Sequence, residues 1–192
     1  ADAMTSLQKA IEIDGSTRQT DLLQAEKIIL ATGSRPRRPD HIPFDKERVL
    51  DSTSILKLKQ LPSSLLVVGG GVIACEFATI FAPLGVDVTI IDSHQQLLAY
   101  LDKDIADILA GHIQEMGIQQ YMNTKVNTVQ RQQDKVEVLT DTGQQFSVDT
   151  VLYAQGRQPN YDGLHIERAG LINDDNGWIR INDAHQTSAE NN

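Results

Sequence analysis

Between residues 65 and 85 the chain reads LLVVGGGVIACEFATIFAPLG. The short apolar run LLVV suits a strand buried on both faces. Three glycines stop it, and the next segment spaces Ile73, Phe77, Ile80 and Leu84 as one side of a helix until Pro83-Leu84-Gly85 ends it. DVTII at 87–91 then reads as a second strand. A strand, a glycine turn, a helix and another strand within this span form a β-α-β unit, which fixes the class as α/β.

The turn itself has chemistry. Gly69, Gly71 and Ala74 form G-x-G-x-x-A between strand and helix. In that pattern the first glycine permits the tight turn and the second lets a diphosphate approach the backbone. The small third residue lets helix and strand pack closely. Helix-start amides lack intrahelical partners and sit at the positive end of the helix dipole, so they favour an anion. Asp92 ends the second strand about 20 residues beyond the turn, where a carboxylate accepts hydrogen bonds from adenosine ribose hydroxyls and repels a 2′-phosphate. Nicotinamide adenine dinucleotide (NAD) is therefore expected in preference to its 2′-phosphorylated form (NADP), with NADP possible. Ser93 is grouped with Asp92 at this position, and the bland alternative is that the two residues only end a strand. His94 is read as a surface histidine, able to soften the preference only when protonated.

Downstream, Asp102 stands as a cap for a helix with Ile105, Ile108, Leu109, His112 and Met116 on one stripe, ending at Gly117. Short strands are expected near 118–122, 125–131, 135–140, 144–147 and 149–154, with Asp141-Thr142-Gly143 as one turn. Upstream, Asp14-Gly15 reads as a hairpin turn between strands at 7–13 and 18–23, with a further strand at 27–31. Residues 34–49, with Pro36, Pro39 and Pro43, read as an extended crossing between domains. Asp51 or Ser52 is expected to cap a helical turn or two before Pro62, and Asn176-Gly177 to turn a final hairpin.

One pattern occurs twice. Aligned on Gly33 and Gly156, AEKIILATGSRP and VDTVLYAQGRQP share an acidic residue, an apolar triplet, alanine, glycine and a proline three positions on. The closing strand of a nucleotide-binding domain thus appears in both, but only the second has its glycine turn and helix upstream. The chain is read as starting within one such domain and containing another whole.

Composition excludes several classes. A net charge of −9 opposes binding to a phosphate backbone, so no nucleic acid is expected. No apolar run is long enough to span a membrane, and a soluble, cytoplasmic protein is expected. With one cysteine, Cys75, no disulfide can form within the chain. Cys75 is read as a small buried hydrophobe. The five histidines fall at no metal-ligand spacing and no serine stands in a nucleophile elbow, so neither metal ligands nor catalytic residues are assigned.

With those residues in view, residues 14–188 resemble the flavin-dependent pyridine nucleotide–disulfide oxidoreductases. The resemblance rests on ATGSRP at 31–36, DST at 51–53, VVGGGVIACE at 67–76, DVTIID at 87–92, YAQGRQPN at 153–160 and GWIRIND before QTS at 186–188. It implies a Rossmann-like β-α-β domain with an inserted antiparallel β-meander, flanked by β-rich strips of an incomplete flavin adenine dinucleotide (FAD) domain. Residues 1–35 and 156–192 would be those strips, and 36–155 the NAD(P)-binding domain. The parent would be a homodimer, with FAD bound only when its remaining FAD and dimerisation domains are present. The resemblance assigns Gly69, Gly71 and Ala74 to the diphosphate, Val72 to the nicotinamide pocket and Val126 to adenine. Gly156 would stand at the nicotinamide end, and Glu76 would face the pocket and pair with a lysine outside this chain.

Within the family, CEFATIF at 75–81 and LLAYLDKDI at 97–105 look most like soluble pyridine nucleotide transhydrogenases, with dihydrolipoamide dehydrogenases as the alternative. The implied activity is hydride transfer between a nicotinamide dinucleotide and flavin, carried out by the parent and not by this chain alone. A stand-alone NAD-sensing or interaction module is a further alternative.

Overall fold

Residues 64–68 form a strand in which alternate side chains face opposite ways, and both faces are covered. Leu65 and Val67 join one apolar cluster, Leu66 and Val68 another, as a strand's two-residue period requires. The computed structural model describes Ala25 and residues 27–189. The strands read at 7–13 and 18–23 lie outside the described residues.

The chain divides into two compact units. One is Pro36–Gly156; the other is drawn from both flanks, up to Arg35 and from Arg157. In chain order the strands are β1 (Ser34–Pro36), β2 (Val49–Asp51), β3 (Ser64–Val68), β4 (Asp87–Ile91), β5 (Gln119–Tyr121), β6 (Val126–Arg131), β7 (Val136–Thr140), β8 (Gln145–Val148), β9 (Thr150–Tyr153) and β10 (Arg157–Pro159). The helices are α1 (Val72–Phe81) and α2 (Lys103–Glu115).

The larger unit is built in three layers. Its central sheet has the order β2-β9-β3-β4-β5, every pair parallel. On one face Leu65, Val67, Ile90 and Leu152 pack with Ala74, Ala78 and Phe81 of α1 and Ile113 of α2. On the other, Leu66, Val68, Ile91 and Val151 pack with Val129, Val136, Val138 and Val148 of an antiparallel sheet, β6-β7-β8. Each Val, Leu, Ile or Phe side chain so removed from water contributes about 1.5–3 kcal/mol. A Tyr121–Phe146 edge-to-face pair, 5.1 Å between centroids, also joins these layers.

Ionic contacts secure the crossings. Asp51, almost fully buried, accepts the amides of Thr53 and Ser54 and pairs with Arg38, which stands 5.3 Å from the Phe44 ring. It thereby organises the turn before the 3₁₀ helix Ile55–Lys57. Asp45 accepts three backbone amides and pairs with Arg131, joining the 45–49 loop to β6. Asp149 accepts Lys135 at 2.6 Å and the Ser63 amide at 2.7 Å.

Several expectations are corrected. The core side of α1 is Ala74, Cys75, Ala78 and Phe81, while Ile80 is exposed, as is Leu84 beyond it. On α2 the inward residues are Ala106 and Ile113, with Leu109, Ala110 and Met116 partly covered, whereas Ile105 and Ile108 face solvent. Small residues are buried along with Phe81 and Ile113 while Ile80, Ile105 and Ile108 are exposed, so apolar bulk alone does not mark the buried side. Asp102 occupies the N-cap of α2 without a side-chain bond to it. Residues 27–31 are not a strand. The final hairpin is reduced to one bridge, Asn173 to Ile179, around a turn in which Asp174 accepts the amides of Asn176 and Trp178. β2 is a strand that the proline-rich composition of 34–49 conceals.

In the flanking unit Ile166, Ala169 and Leu171 form a small core with Tyr161, Leu164 and Ile179 against them. Arg35 pairs there with Asp162, and Arg157 donates to the Ser34 hydroxyl.

Candidate functional site

Because β3, β4 and β9 run parallel, their carboxyl ends open on one edge of the sheet, where α/β folds place ligands. At that edge the three glycines behave differently. The Gly69 amide donates to the Ile91 carbonyl at 2.8 Å, and its φ is +124°. A Cβ at Gly69 would stand 2.9 Å from the Ala154 carbonyl oxygen, so the turn demands glycine twice over. Gly70 donates to Asp92 Oδ2 at 2.6 Å, and a Cβ there would come within 3.1–3.2 Å of Asp92 and Leu97. Gly71, with φ −82°, is the N-cap of α1 in ordinary extended backbone, and a Cβ there would meet nothing within 4 Å.

The start of α1 is uncapped. No side chain bonds to it, and the first intrahelical bond runs from the Cys75 amide to the Gly71 carbonyl at 3.0 Å. The amides of Gly71, Val72, Ile73 and Ala74 precede that bond and have no partner in the helix.

Asp92 lies immediately after β4 and is 6% exposed. Its Oδ1 accepts the His94 amide at 2.7 Å and faces His94 Nδ1 at 2.6 Å. The Asp92 amide donates to the Tyr121 carbonyl, and its own carbonyl accepts the Thr124 amide. The carboxylate thus ties the glycine turn to the loop after β4.

A groove of about 680 Å³ lies over this edge, lined by residues 69–71, 92–94, 96, 98–100 and 154–156. Of the positions that the sequence singles out, Gly69, Gly71, Asp92, Ser93 and Gly156 line it. Ala74 does not: it is fully buried between helix and sheet. Val72, 46% exposed, and Glu76, also exposed, lie on the first turns of α1 outside the groove lining. Val126 opens β6, half-buried against the meander-side cluster and away from the groove lining.

Gly70, His94, Gln96, Tyr100 and Gln155 also line the groove, and the sequence motifs do not mark them as binding positions. A signal for His94 exists in the sequence, because an aspartate accepting the amide two residues later is a common turn device.

Cys75 lies beneath the turn, 7% exposed, with Sγ 3.9 Å from the Gly70 carbonyl. Burial, helped by Asp92 and Glu76, pushes its thiol up to about 11. It is chemically quiet at neutral pH. Among the described residues no three His, Cys, Asp or Glu side chains group as a metal site, and no helix is long and apolar enough to cross a membrane.

The parallel sheet, the glycine turn and the carboxylate behind it define a Rossmann-like unit. Residues 3–191 match the pyridine nucleotide-disulphide oxidoreductase family, and the chain belongs to it. It is 39% identical over 178 residues to a soluble pyridine nucleotide transhydrogenase of Colwellia psychrerythraea, covering 93% of this chain and 38% of that protein. The same-named protein of Photorhabdus laumondii is 41% identical over 171 residues, with 89% and 37% covered. The chain therefore spans somewhat over a third of the length of these curated relatives.

Among solved structures, the HOCl-induced flavoprotein disulfide reductase RclA of Escherichia coli superposes with a TM-score of 0.77 at 36% identity, covering 88% of this chain and 39% of RclA. LpdA of Mycobacterium tuberculosis gives a TM-score of 0.77 at 31% identity, covering 83% and 35%.

Proposed function

We propose that the groove at the ends of β3, β4 and β9 holds a nicotinamide dinucleotide, as part of an FAD-dependent oxidoreductase of the soluble transhydrogenase type. The observation that carries this is the uncapped start of α1 beside Gly71, whose missing side chain leaves the approach to those amides open. Amides without partners and the positive end of the helix dipole suit a diphosphate. Gly69 and Gly70 keep that surface in place, the first through its backbone conformation and the second through Asp92. Ala74 lets α1 lie close enough to the sheet to aim its end at the groove.

Asp92 has about four acceptor positions, three of them used within the protein. The remaining one, with the carboxylate charge, favours a ribose hydroxyl over a 2′-phosphate and so NAD over NADP. Ser93 and Gly156 border the same groove, at the sugar and nicotinamide ends respectively in this reading. Val72, Glu76 and Val126, which lie outside the groove lining, retain family-based roles only, with Val72 and Glu76 facing the nicotinamide side and Val126 near adenine.

The nicotinamide, when bound, supplies a hydride, and the chemistry belongs to the cofactors rather than to side chains of this chain. The flanks, residues 1–35 and 156–192, are read as parts of the FAD domain. The whole protein is read as a homodimer in the cytoplasm. The transhydrogenase reading is favoured over a dihydrolipoamide dehydrogenase because the curated relatives at 39–41% identity are named soluble pyridine nucleotide transhydrogenases. A fluorescence titration of the chain with NADH and NADPH tests the proposal. Saturable binding with NADH tighter is expected; equal affinities would remove Asp92 from its discriminating role, and no binding would remove the groove.

A further inference from the structure

Leu98 holds a backbone conformation that leucine seldom adopts, and its contacts with the glycine turn explain why. Its φ is +48°, in the left-handed region where a Cβ is crowded. Such strain persists only where the surrounding structure imposes it. The Leu98 amide donates to the Gly70 carbonyl at 2.8 Å, and the Leu98 carbonyl accepts the Leu101 amide at 2.8 Å. Leu97, 1% exposed, anchors the same loop in the helix-side core, against which Leu98 itself is half-buried. The Gly70 carbonyl also has the buried Cys75 Sγ 3.9 Å away, so it faces inward beneath the turn.

That orientation decides where the next amide points. The Gly70–Gly71 peptide is trans, so its carbonyl and the Gly71 amide point opposite ways, and an inward carbonyl turns the amide outward. Glycine at both ends removes the Cβ clashes that would oppose turning this peptide over. The overturned form would present a carbonyl oxygen where an anion needs a donor. We infer that Leu98 is a positioning residue for the dinucleotide: its left-handed backbone supplies the amide that locks the Gly70–Gly71 peptide with its N–H side toward the diphosphate. This rests on the reading of the groove as a nicotinamide dinucleotide site. The lock acts through main-chain atoms, so what counts at position 98 is how readily the residue enters the left-handed region, not its apolar bulk.

The test uses the full chain. Asparagine enters that region more readily than leucine, whereas β-branched valine resists it while staying apolar. Without the lock only a fraction of molecules presents the binding form, and apparent affinity falls by that fraction. With one neutral hydrogen bond at stake, Leu98→Val should bind NADH about fivefold more weakly than the parent, and Leu98→Asn about fivefold more tightly than Leu98→Val. The NMR coupling transmitted through the hydrogen bond, from Leu98 nitrogen to Gly70 carbonyl carbon, should be present in the labelled parent and in Leu98→Asn and lost in Leu98→Val. If valine prevents folding, Leu98→Met takes its place, and Leu98→Asn should then equal or exceed it in affinity. Affinities that follow apolar bulk, equal affinities in Leu98→Asn and Leu98→Val, or no coupling in the parent overturn the assignment. If the parent binds NADH, those results remove this inference alone. A parent that binds no NADH removes it together with the dinucleotide reading.

Discussion

Gly69 and Gly71 belong to one motif, but substituting each with alanine should have opposite consequences. At Gly69 the new methyl would meet the Ala154 carbonyl at 2.9 Å. That carbonyl cannot easily retreat, because the Ala154 amide is bonded to Val68 at the end of β3. The backbone would also hold φ near +124°, outside the range comfortable for an L-residue. Strain of about 1–3 kcal/mol and overpacking of about 1–3 kcal/mol give roughly 2–6 kcal/mol together. That is a large share of a typical stability of about 5–15 kcal/mol.

At Gly71 the φ of −82° suits any residue and the methyl meets nothing. Gly71→Ala should be neutral or stabilising by up to about 1 kcal/mol through the unfolded chain. Its methyl would nevertheless stand on the approach to the helix amides and lower NADH affinity. Urea unfolding monitored by circular dichroism, with NADH titration of each folded variant, separates the two effects. Equal urea midpoints for Gly69→Ala and the parent, or a loss of stability in Gly71→Ala comparable to that in Gly69→Ala, would refute the reasoning.

The packing carries three other expected outcomes. Asp92→Ala strands the buried Gly70 amide and should cost about 1–3 kcal/mol in urea unfolding, so an unchanged midpoint would deny Asp92 its hold on the turn. Burial works to raise Asp51 and Asp45, but Arg38 with Ser54, and the amides of residues 47–49 with Arg131, outweigh it and hold both carboxyls below the ordinary value. Lys135 and the Ser63 amide lower Asp149 against weaker desolvation. The stability these groups add is present above the ordinary carboxylate range and is lost as pH falls below about 4. Urea midpoints measured downward from pH 7 should drop there, and less steeply in Asp51→Asn. Cys75, with its thiol near 11, has about one part in ten thousand as thiolate at pH 7 and should label with iodoacetamide only after denaturation; rapid labelling of the folded chain would contradict its burial.

The strand–turn–helix at 65–85 is legible in the sequence because it is local: a strand too apolar to be exposed, a glycine turn and a helical period come in succession. The order of the sheet is not, since nothing in VLYAQG or RVLD reveals that β9 lies between β2 and β3. The inward sides of both helices mislead for one reason. Ile80, Ile105 and Ile108 dominate any count of apolar periodicity, but the buried positions are Ala74, Cys75, Ala78 and Phe81 on α1 and Ala106 and Ile113 on α2. In the groove, G-x-G-x-x-A points to Gly69 and Gly71 but passes over Gly70, whose requirement for glycine comes from Asp92, 22 residues away. The sequence marks His94 only by its spacing from Asp92, and the ring contact between the two is not legible there. Val72, Glu76 and Val126 are assigned by resemblance, and the groove lining does not include them.

The most direct measurement is a map of backbone-amide NMR shifts in the isotopically labelled chain as NADH is added. Shifts concentrated at Gly70, Gly71, Val72 and Ile73, with others at residues 92–94 and 154–156, are the predicted result. Saturating NADH that leaves the amides at the start of α1 unmoved would contradict it.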